Sequence, residues 1–204
     1  MQETLRLHKH QENKLQELIS RREDIKDMLQ KERCRKERFY DPAAKRSLTK
    51  IIDVLKEQLE AIEQEIKDRL AKDEELKEKA KVIQGVKAVG EKTTITLLAA
   101  LPELGKANRR QIAALAGLAP YPNDSGQSSF RRRTTCGRPV VKRMLFMCAL
   151  VAISKNKDLK DFYLKLTGNG KMKMVALVAV MRKLLIIINN RCKAFYAQRS
   201  FSFA

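Results

Sequence analysis

Hydroxyl and guanidinium side chains lie close together in residues 117–143, GLAPYPNDSGQSSFRRRTTCGRPVVKR. Ser125, Ser128 and Ser129 occur on a turn sequence rich in Pro, Asn, Asp and Gly. The arginines that follow directly are Arg131, Arg132 and Arg133. Arginine stays charged and can donate two hydrogen bonds to one phosphate, and phosphoryl transfer depends mainly on positioning and charge neutralisation. On residue types alone, a solvated loop that contacts phosphates non-specifically is the simpler interpretation. The more specific interpretation is that one of these serines attacks a phosphodiester.

Four blocks of sequence decide between these two interpretations. They are QIAALAGLAP at 111–120, DSG at 124–126, GRPVVKRMLFMCAL at 137–150 and GKMKMVALVAVMRKLL at 170–185. In order and spacing they resemble the C-terminal transposase domain of the DEDD-type insertion-sequence transposases. That family includes the Piv DNA invertases and the RNA-guided bridge recombinases. The resemblance extends from about Val82 to Arg191, and it implies DNA, and structured RNA as a second candidate, as the partner.

The resemblance also implies roles for individual residues. In the family, a serine directly before glycine and shortly after a GLxP element is the nucleophile that joins DNA covalently. By position this serine is Ser125. Two neighbours differ from the usual family pattern, because Arg138 stands where Asn is usual and Asp124 where a neutral polar residue is common. The basic residues expected to bind phosphates here are Arg131, Arg132, Arg133, Arg138, Lys142 and Arg143.

The positive charge is concentrated in one part of the chain. The 204 residues carry a formal net charge of +19, with a pI near 10.0. Residues 1–80 contain 20 Lys/Arg and 19 Asp/Glu, whereas residues 81–204 contain 23 and 5. A cationic surface kept only for solubility does not predict such segregation. Residues 81–204 are therefore expected to form a basic helical domain that binds a polyanion.

Residues 1–80 have the pattern of two long helices forming an antiparallel coiled-coil hairpin. Leu15, Leu18, Ile25 and Leu29 fall on one face of the first helix, although Arg22 interrupts them. Asp41-Pro42 is a start signal for the second helix. Its apolar residues recur at alternating spacings of four and three, as in a heptad seam: Leu48, Ile52, Leu55, Leu59, Ile62 and Ile66. We expect this segment to act as a spacer and to form a homo-oligomer.

The remaining sequence also favours helices, so the predicted fold class is all-α. Val86–Gly90 before residues 93–101 resembles a helix-hairpin-helix, in which backbone N–H groups hold a phosphate. Gly90 stands at the second glycine position of the motif and Ala88 at the first, and Gly90 and Lys92 are the expected binding residues. A plain helical turn packing on the core is the alternative. Asn108 can cap a helix through Leu118, and residues 145–153 and 175–188 are expected to supply most of the core. A break is expected at 168–170.

Membrane and metal sites are not predicted. Arg182 and Lys183 interrupt the apolar C-terminal segment, and the N-terminus is too polar for a secretory signal, so the chain is expected to be cytoplasmic. The four cysteines form no CxxC pair, and the two histidines lie near the terminus.

The acids after residue 80 are too scattered for a two-metal site: Glu91, Glu103, Asp124, Asp158 and Asp161. In the family, the carboxylates that bind Mg²⁺ belong to a RuvC-like domain that precedes the coiled coil. We therefore expect no cofactor in this chain and expect Mg²⁺ only in such a domain, supplied in trans if the enzyme is split. The chain is then expected to be a truncated transposase, one part of a split transposase, or an adapted one that has lost catalysis and kept binding. A non-catalytic nucleic-acid-binding protein that dimerises through its coiled coil is the alternative, and a purely structural adaptor leaves the basic domain unexplained.

Overall fold

The chain folds almost entirely into α-helices. The computed structural model describes the backbone of residues 2–120, 124–125, 128–129, 134 and 136–202, and the side chains of residues 14–120, 134 and 136–199. In chain order the elements are α1 (Gln2–Arg38), α2 (Pro42–Lys72), α3 (Glu74–Gln84), α4 (Glu91–Ala100), α5 (Arg109–Leu115), β1 (Asp124–Ser125), β2 (Ser128–Ser129), α6 (Pro139–Lys155), α7 (Lys157–Gly168) and α8 (Lys173–Ser202). The all-α prediction is confirmed, with the two-residue strands β1 and β2 as a small addition.

The first compact unit spans Met1–Leu76 and contains α1 and α2. The two helices are antiparallel, because Leu15 and Arg69 line one groove and Arg33 and Ile52 line another. Asp41 caps α2 as predicted, since its carboxylate accepts a hydrogen bond of 2.7 Å from the Ala44 N–H. The pairing of two helices across a short turn is thus observed, whereas the regular knob-and-hole packing of a coiled coil stays a prediction.

The buried face of α1 differs in one residue from the sequence prediction. Ile19 is buried, whereas the predicted Leu18 is only half-buried. Arg22 does not lie outside the apolar stripe but is itself buried in it, with a relative exposure of 2%. Its Nη2 lies 3.0 Å from Oε1 of Glu23. Burial opposes ionisation of Glu23, but the hydrogen bond from Arg22 and the charge of Lys26 outweigh it and lower the pKa of that carboxyl.

The second compact unit spans Lys77–Ala204, and α8 runs through its core. Helices α5, α6 and α7 all pack on α8, and α4 packs on α6. The predicted Asn108 cap is present as a full capping box with Gln111, although α5 ends at Leu115 and not at Leu118. The predicted break at 168–170 is also present, because α7 ends at Gly168 and α8 begins at Lys173.

The core of this unit includes more of α4 and less of α6 than the sequence suggested. Every residue of α4 from Thr93 to Ala99 is buried, and its Thr93 and Thr96 hydroxyls are satisfied within the core. By contrast, α6 buries Leu145 and Ala149 but leaves Met147 exposed. Among the described residues, no helix is both long enough and apolar enough to cross a membrane.

Candidate active site and nucleic-acid interface

Ser125 lies in the antiparallel pair formed by β1 and β2. Ser125 is opposite Ser128, and Asp124 is opposite Ser129. The structure describes the backbone of these four residues, whereas their side chains lie outside the described part of the chain. Also outside it are the predicted phosphate ligands Arg131, Arg132 and Arg133. The backbone geometry therefore places Ser125 in a short hairpin within the connection between α5 and α6.

The two ends of this connection meet at a pair of glycines. Gly117 has φ +68° and Gly137 has φ +102°, a left-handed conformation that favours glycine. A Cβ on Gly117 would overlap the carbonyl oxygen of Cys136, and a Cβ on Gly137 would overlap the backbone of Gly117. The chain thus leaves the end of α5 and returns to the same point before α6. We call residues 118–136 the Ser125 loop, and the two glycines its glycine closure.

Backbone hydrogen bonds hold the glycine closure onto the end of α5. The N–H of Gly117 donates to the carbonyl of Ala114 at 2.9 Å, and the N–H of Leu118 donates to that of Ala113 at 2.8 Å. On the returning side, the N–H of Arg138 donates to the Leu115 carbonyl at 2.9 Å. These bonds satisfy carbonyls that the end of a helix leaves without intrahelical partners. They also fix both ends of the Ser125 loop to one rigid element.

Arg138 is engaged by groups within the protein. Its guanidinium forms a bidentate pair with Glu103, with N–O distances of 2.6 and 2.7 Å, and Nη1 also donates to the Ala100 carbonyl at 2.8 Å. The hydrogen bonds from Arg138 lower the pKa of Glu103 against the opposing effect of burial, and the same bonds raise the pKa of Arg138. A phosphate at Arg138 would have to compete with Glu103, so the predicted phosphate role stays a prediction.

Lys142, one turn into α6, contacts the returning end of the Ser125 loop. Its Nζ donates to the carbonyl of Thr134 at 2.6 Å and lies 3.1 Å from the Thr134 hydroxyl. The side chain is part-buried in this position. Like Arg138, Lys142 is therefore directed towards the protein's own backbone.

The turn that carries Glu103 is itself anchored to α8. The buried Asn189 side chain accepts a hydrogen bond of 2.8 Å from the Gly105 N–H and donates one of 3.0 Å to the Ala107 carbonyl. Gly105, with φ +92°, lies against the ring of Tyr196, where a Cβ would come within 2.7 Å of the ring. The Glu103 carboxylate is consequently held on a well-packed support rather than on an isolated surface turn.

The other predicted phosphate ligands are surface residues. Arg143 and Lys92 are exposed, as is Gly90, which is the N-cap of α4. A Cβ on Gly90 would meet nothing within 4 Å, so the open space there would admit a ligand or a side chain. The phosphate roles of Lys92 and Arg143 stay predictions.

The turn before α4 contains an unusual backbone conformation. Ala88 has φ +77°, in the region that favours glycine. It occupies the position where the sequence comparison with a helix-hairpin-helix expects the first glycine. The turn therefore adopts a glycine-type conformation without the glycine. This one angle does not establish the arrangement of helices in that motif, which stays a prediction.

Titratable side chains do not converge on a metal-binding cluster in the described part of the chain. No group of three His, Cys, Asp or Glu there could hold an ion. Burial raises the pKa of the Cys192 thiol to about 11 and also raises that of Cys148. Both thiols are buried and therefore behave as core residues.

Comparisons with known proteins show what this chain is similar to. Residues 80–164 match the model of the Transposase IS116/IS110/IS902 family, a match that includes β1, β2 and the glycine closure. The match supports a transposase/invertase C-terminal domain, in agreement with the resemblance derived from the sequence.

Similarities to individual proteins agree with this family match. The chain is 29% identical over 161 residues to the insertion element IS116 uncharacterized 44.8 kDa protein of Streptomyces clavuligerus, covering 74% of this chain and 39% of that protein. It is 28% identical over 180 residues to the pilin gene-inverting proteins of Moraxella bovis and Moraxella lacunata, covering 86% of this chain and 56% of each relative. The chain thus spans between about two fifths and just over half of the length of these relatives.

Sequence reasoning missed three residues that shape the site. From the sequence, Glu103 is a candidate only for metal binding, Asn189 is not predicted to be a site residue, and Gly117 is only part of a motif. The sequence offers one signal for the closure: the GLAP and CGRP motifs place a glycine on each side of a polar loop, a pattern that is compatible with a closed loop. The partners of Glu103 and Asn189 are far away in the sequence, and no local pattern indicates them.

Proposed function

We propose that this chain is the C-terminal part of a DNA transposase or site-specific recombinase in which Ser125 is the nucleophile. The Ser125 Oγ forms a bond to a DNA phosphorus, and one P–O bond to deoxyribose breaks. The deoxyribose oxygen leaves as a hydroxyl after it takes up a proton, and the serine proton passes to solvent or to a base. The product is a phosphodiester between the protein and one DNA end, which a DNA hydroxyl can reverse during strand transfer.

The observation that carries this proposal is the closed Ser125 loop. The loop that contains the Ser125 hairpin is fixed at both ends to α5, which limits the positions that the serine can take, and an attacking group needs such restriction. The surrounding domain carries the excess of positive charge, which favours a polyanionic substrate. The similarity to pilin gene-inverting proteins supports DNA inversion or transposition as the class of reaction.

The remaining predicted residues would hold the DNA backbone. Arg131, Arg132 and Arg133, six to eight residues after Ser125, would neutralise charge on the attacked phosphate. Arg143, Lys92 and the backbone at Gly90 would contact neighbouring phosphates. The described carboxylates do not fit a two-metal site, so we propose no metal-binding role for them. Mg²⁺ held by a RuvC-like domain acting in trans is a separate part of the proposal.

A covalent trap tests this function. The protein is incubated with a DNA end of its element, denatured, and analysed for a protein–DNA adduct that is mapped by mass spectrometry. An adduct on Ser125 that disappears in Ser125→Ala and persists in Ser154→Ala, an exposed serine on α6, supports the proposal. An adduct that survives Ser125→Ala and maps to Ser128 or Ser129 contradicts the assignment of the nucleophile.

The alternative is a non-catalytic nucleic-acid-binding protein, and the charge distribution alone favours it. It predicts binding to DNA and to structured RNA with a steep salt dependence and no adduct under any condition. Replacing Arg131, Arg132 and Arg133 with alanine should weaken binding to all sequences under both hypotheses. The charge-matched control is alanine at the exposed Lys155, Lys157 and Lys160, which should weaken binding less.

We further propose that the first unit makes a homo-oligomer. Helix α2 leaves Ile51 and Val54 exposed by 46% and 56% on its surface. Packing of this surface against a second copy would remove apolar side chains from water. Sedimentation of the full chain should show an oligomer that dissociates in Ile51→Lys/Val54→Lys. An unchanged sedimentation coefficient in this variant would argue against the proposed surface.

A further inference from the structure

We infer that Arg138 and Lys142 are positioning residues that hold the Ser125 loop closed, and that they are not phosphate ligands. The chemical part of this inference rests on the proposed function, whereas the positioning of the loop does not. It reassigns two of the basic residues that the sequence grouped with the DNA-binding arginines. It also names Glu103 and Thr134 as their partners.

The donors of both side chains point to acceptors within the second unit. Arg138 makes two short hydrogen bonds to the Glu103 carboxylate and a third to the Ala100 carbonyl. Such a bidentate pair fixes the direction of a guanidinium as well as its distance. Because Arg138 directly follows Gly137, a fixed Arg138 also fixes the direction in which the loop returns to α6.

Lys142, one turn into α6, contacts the same end of the Ser125 loop. Its ammonium group reaches back to the carbonyl and hydroxyl of Thr134, so it ties the last part of the Ser125 loop to α6. With the glycine closure alone, the end of the loop at Thr134 would keep the conformational freedom of a long connection. Ordering a long connection costs conformational entropy. Arg138 and Lys142 reduce that freedom, and the anchoring of Gly105 on Asn189 makes the support for Glu103 firm.

A phosphate ligand and a positioning residue differ in what their loss changes. Removing a phosphate ligand weakens DNA binding and lowers the salt slope of the affinity by about 1. Removing a positioning residue leaves affinity and salt slope near the parent values but slows formation of the Ser125 adduct. It also increases opening of the loop in the protein without DNA.

Hydrogen exchange measures the opening directly. In Arg138→Gln and in Lys142→Met, the N–H groups of Leu118 and Arg138 should lose protection by roughly three- to tenfold. Amides of α8 near Leu184 should keep theirs, and Lys155→Gln on the far end of α6 should change neither set. Glu103→Gln should also reduce protection, but by no more than Arg138→Gln, which in addition removes the hydrogen bond to the Ala100 carbonyl. The double variant should be no worse than Arg138→Gln alone, because that change already removes the pair with Glu103.

DNA binding and adduct formation complete the test. Support for the inference is a several-fold slower adduct in Arg138→Gln and Lys142→Met, with affinity within about twofold of the parent. A loss of affinity with a reduced salt slope and unchanged exchange would show that these residues are phosphate ligands and would overturn it. Equal loss of protection in α8 would overturn it too, because the residues would then stabilise the whole unit. If the parent forms no adduct, the proposed function fails, and the exchange data alone decide the positioning role.

Discussion

The backbones of Gly117 and Gly137 are in direct contact, and neither position has room for a Cβ. Twenty positions apart in the chain, these two residues bring the end of α5 and the start of α6 together. The Ser125 hairpin therefore belongs to a loop whose two ends meet and not to an open linker. The closure depends on two left-handed glycines, which makes it sensitive to the smallest side chain.

Alanine at either glycine of the closure should destabilise the second unit. Gly117→Ala or Gly137→Ala adds backbone strain and a steric overlap, and together these should cost about 2–4 kcal/mol in the free energy of unfolding. Urea denaturation followed by circular dichroism measures this cost. Gly168→Ala, in the last turn of α7 with nothing within 4 Å of its Cβ, should leave stability unchanged or slightly higher. A neutral Gly137→Ala would contradict the close contact.

Loss of the Asn189 side chain should also destabilise the protein. Asn189→Ala would leave the Gly105 N–H and the Ala107 carbonyl without their partner in a buried position. We expect a cost of about 2–4 kcal/mol, because each buried polar group without a hydrogen bond costs about 1–3 kcal/mol. The neighbouring Asn190 is exposed, so Asn190→Ala is the matched control and should change stability by less than about 0.5 kcal/mol. Equal effects of the two variants would argue against the buried hydrogen bonds.

The Glu103–Arg138 pair should make a small contribution to stability that depends on pH. The pKa of Glu103 is lowered in the folded protein, so the contribution is present above about pH 4.5 and is lost as the pH falls through the lowered pKa. Because about a third of each side chain is exposed, we expect only about 0.5–1 kcal/mol from the pair. Urea midpoints of the parent and Glu103→Gln should differ at pH 7 and converge as the pH falls below the lowered pKa of Glu103. A difference that stays constant across this range would show that the charge of Glu103 is not the cause.

The three cysteines of the second unit should differ strongly in their reaction with iodoacetamide. Cys136 is exposed and should be alkylated in the native protein at pH 8. Cys192 should resist, because a pKa of about 11 leaves roughly one thiolate in a thousand at that pH and the thiol is buried as well. Cys148 should resist for the same reasons of burial and a raised pKa. Mass spectrometry of native and guanidinium-denatured samples tests this, and native alkylation of Cys192 as fast as that of Cys136 would contradict the buried site.

Several local features could be predicted because their causes lie within a few residues. The cap at Asn108 and the start of α2 at Asp41-Pro42 depend on hydrogen bonds and backbone angles of adjacent residues, and both are observed. The break after α7 follows in the same way from two glycines around Asn169. By contrast, the prediction that Leu18 belongs to the buried face of α1 was wrong: Leu18 is half-buried and its neighbour Ile19, about 100° away around the helix, is buried. Contact with α2 then decides which of the two is buried.

The sequence by itself determined the all-α class, the separation of a charge-balanced hairpin from a basic domain, and the family that the blocks around Ser125 resemble. These depend on residue types, periodicity and short motifs. Only the tertiary structure decided that Gly117 meets Gly137, that Arg138 pairs with Glu103 and that Asn189 anchors Gly105. Each of these contacts joins residues from 20 to 84 positions apart, so it depends on how the helices pack and leaves no periodic signal in the chain. The same packing directs Arg138 and Lys142 towards acceptors of the protein itself, which a count of basic residues cannot distinguish from a surface that binds DNA.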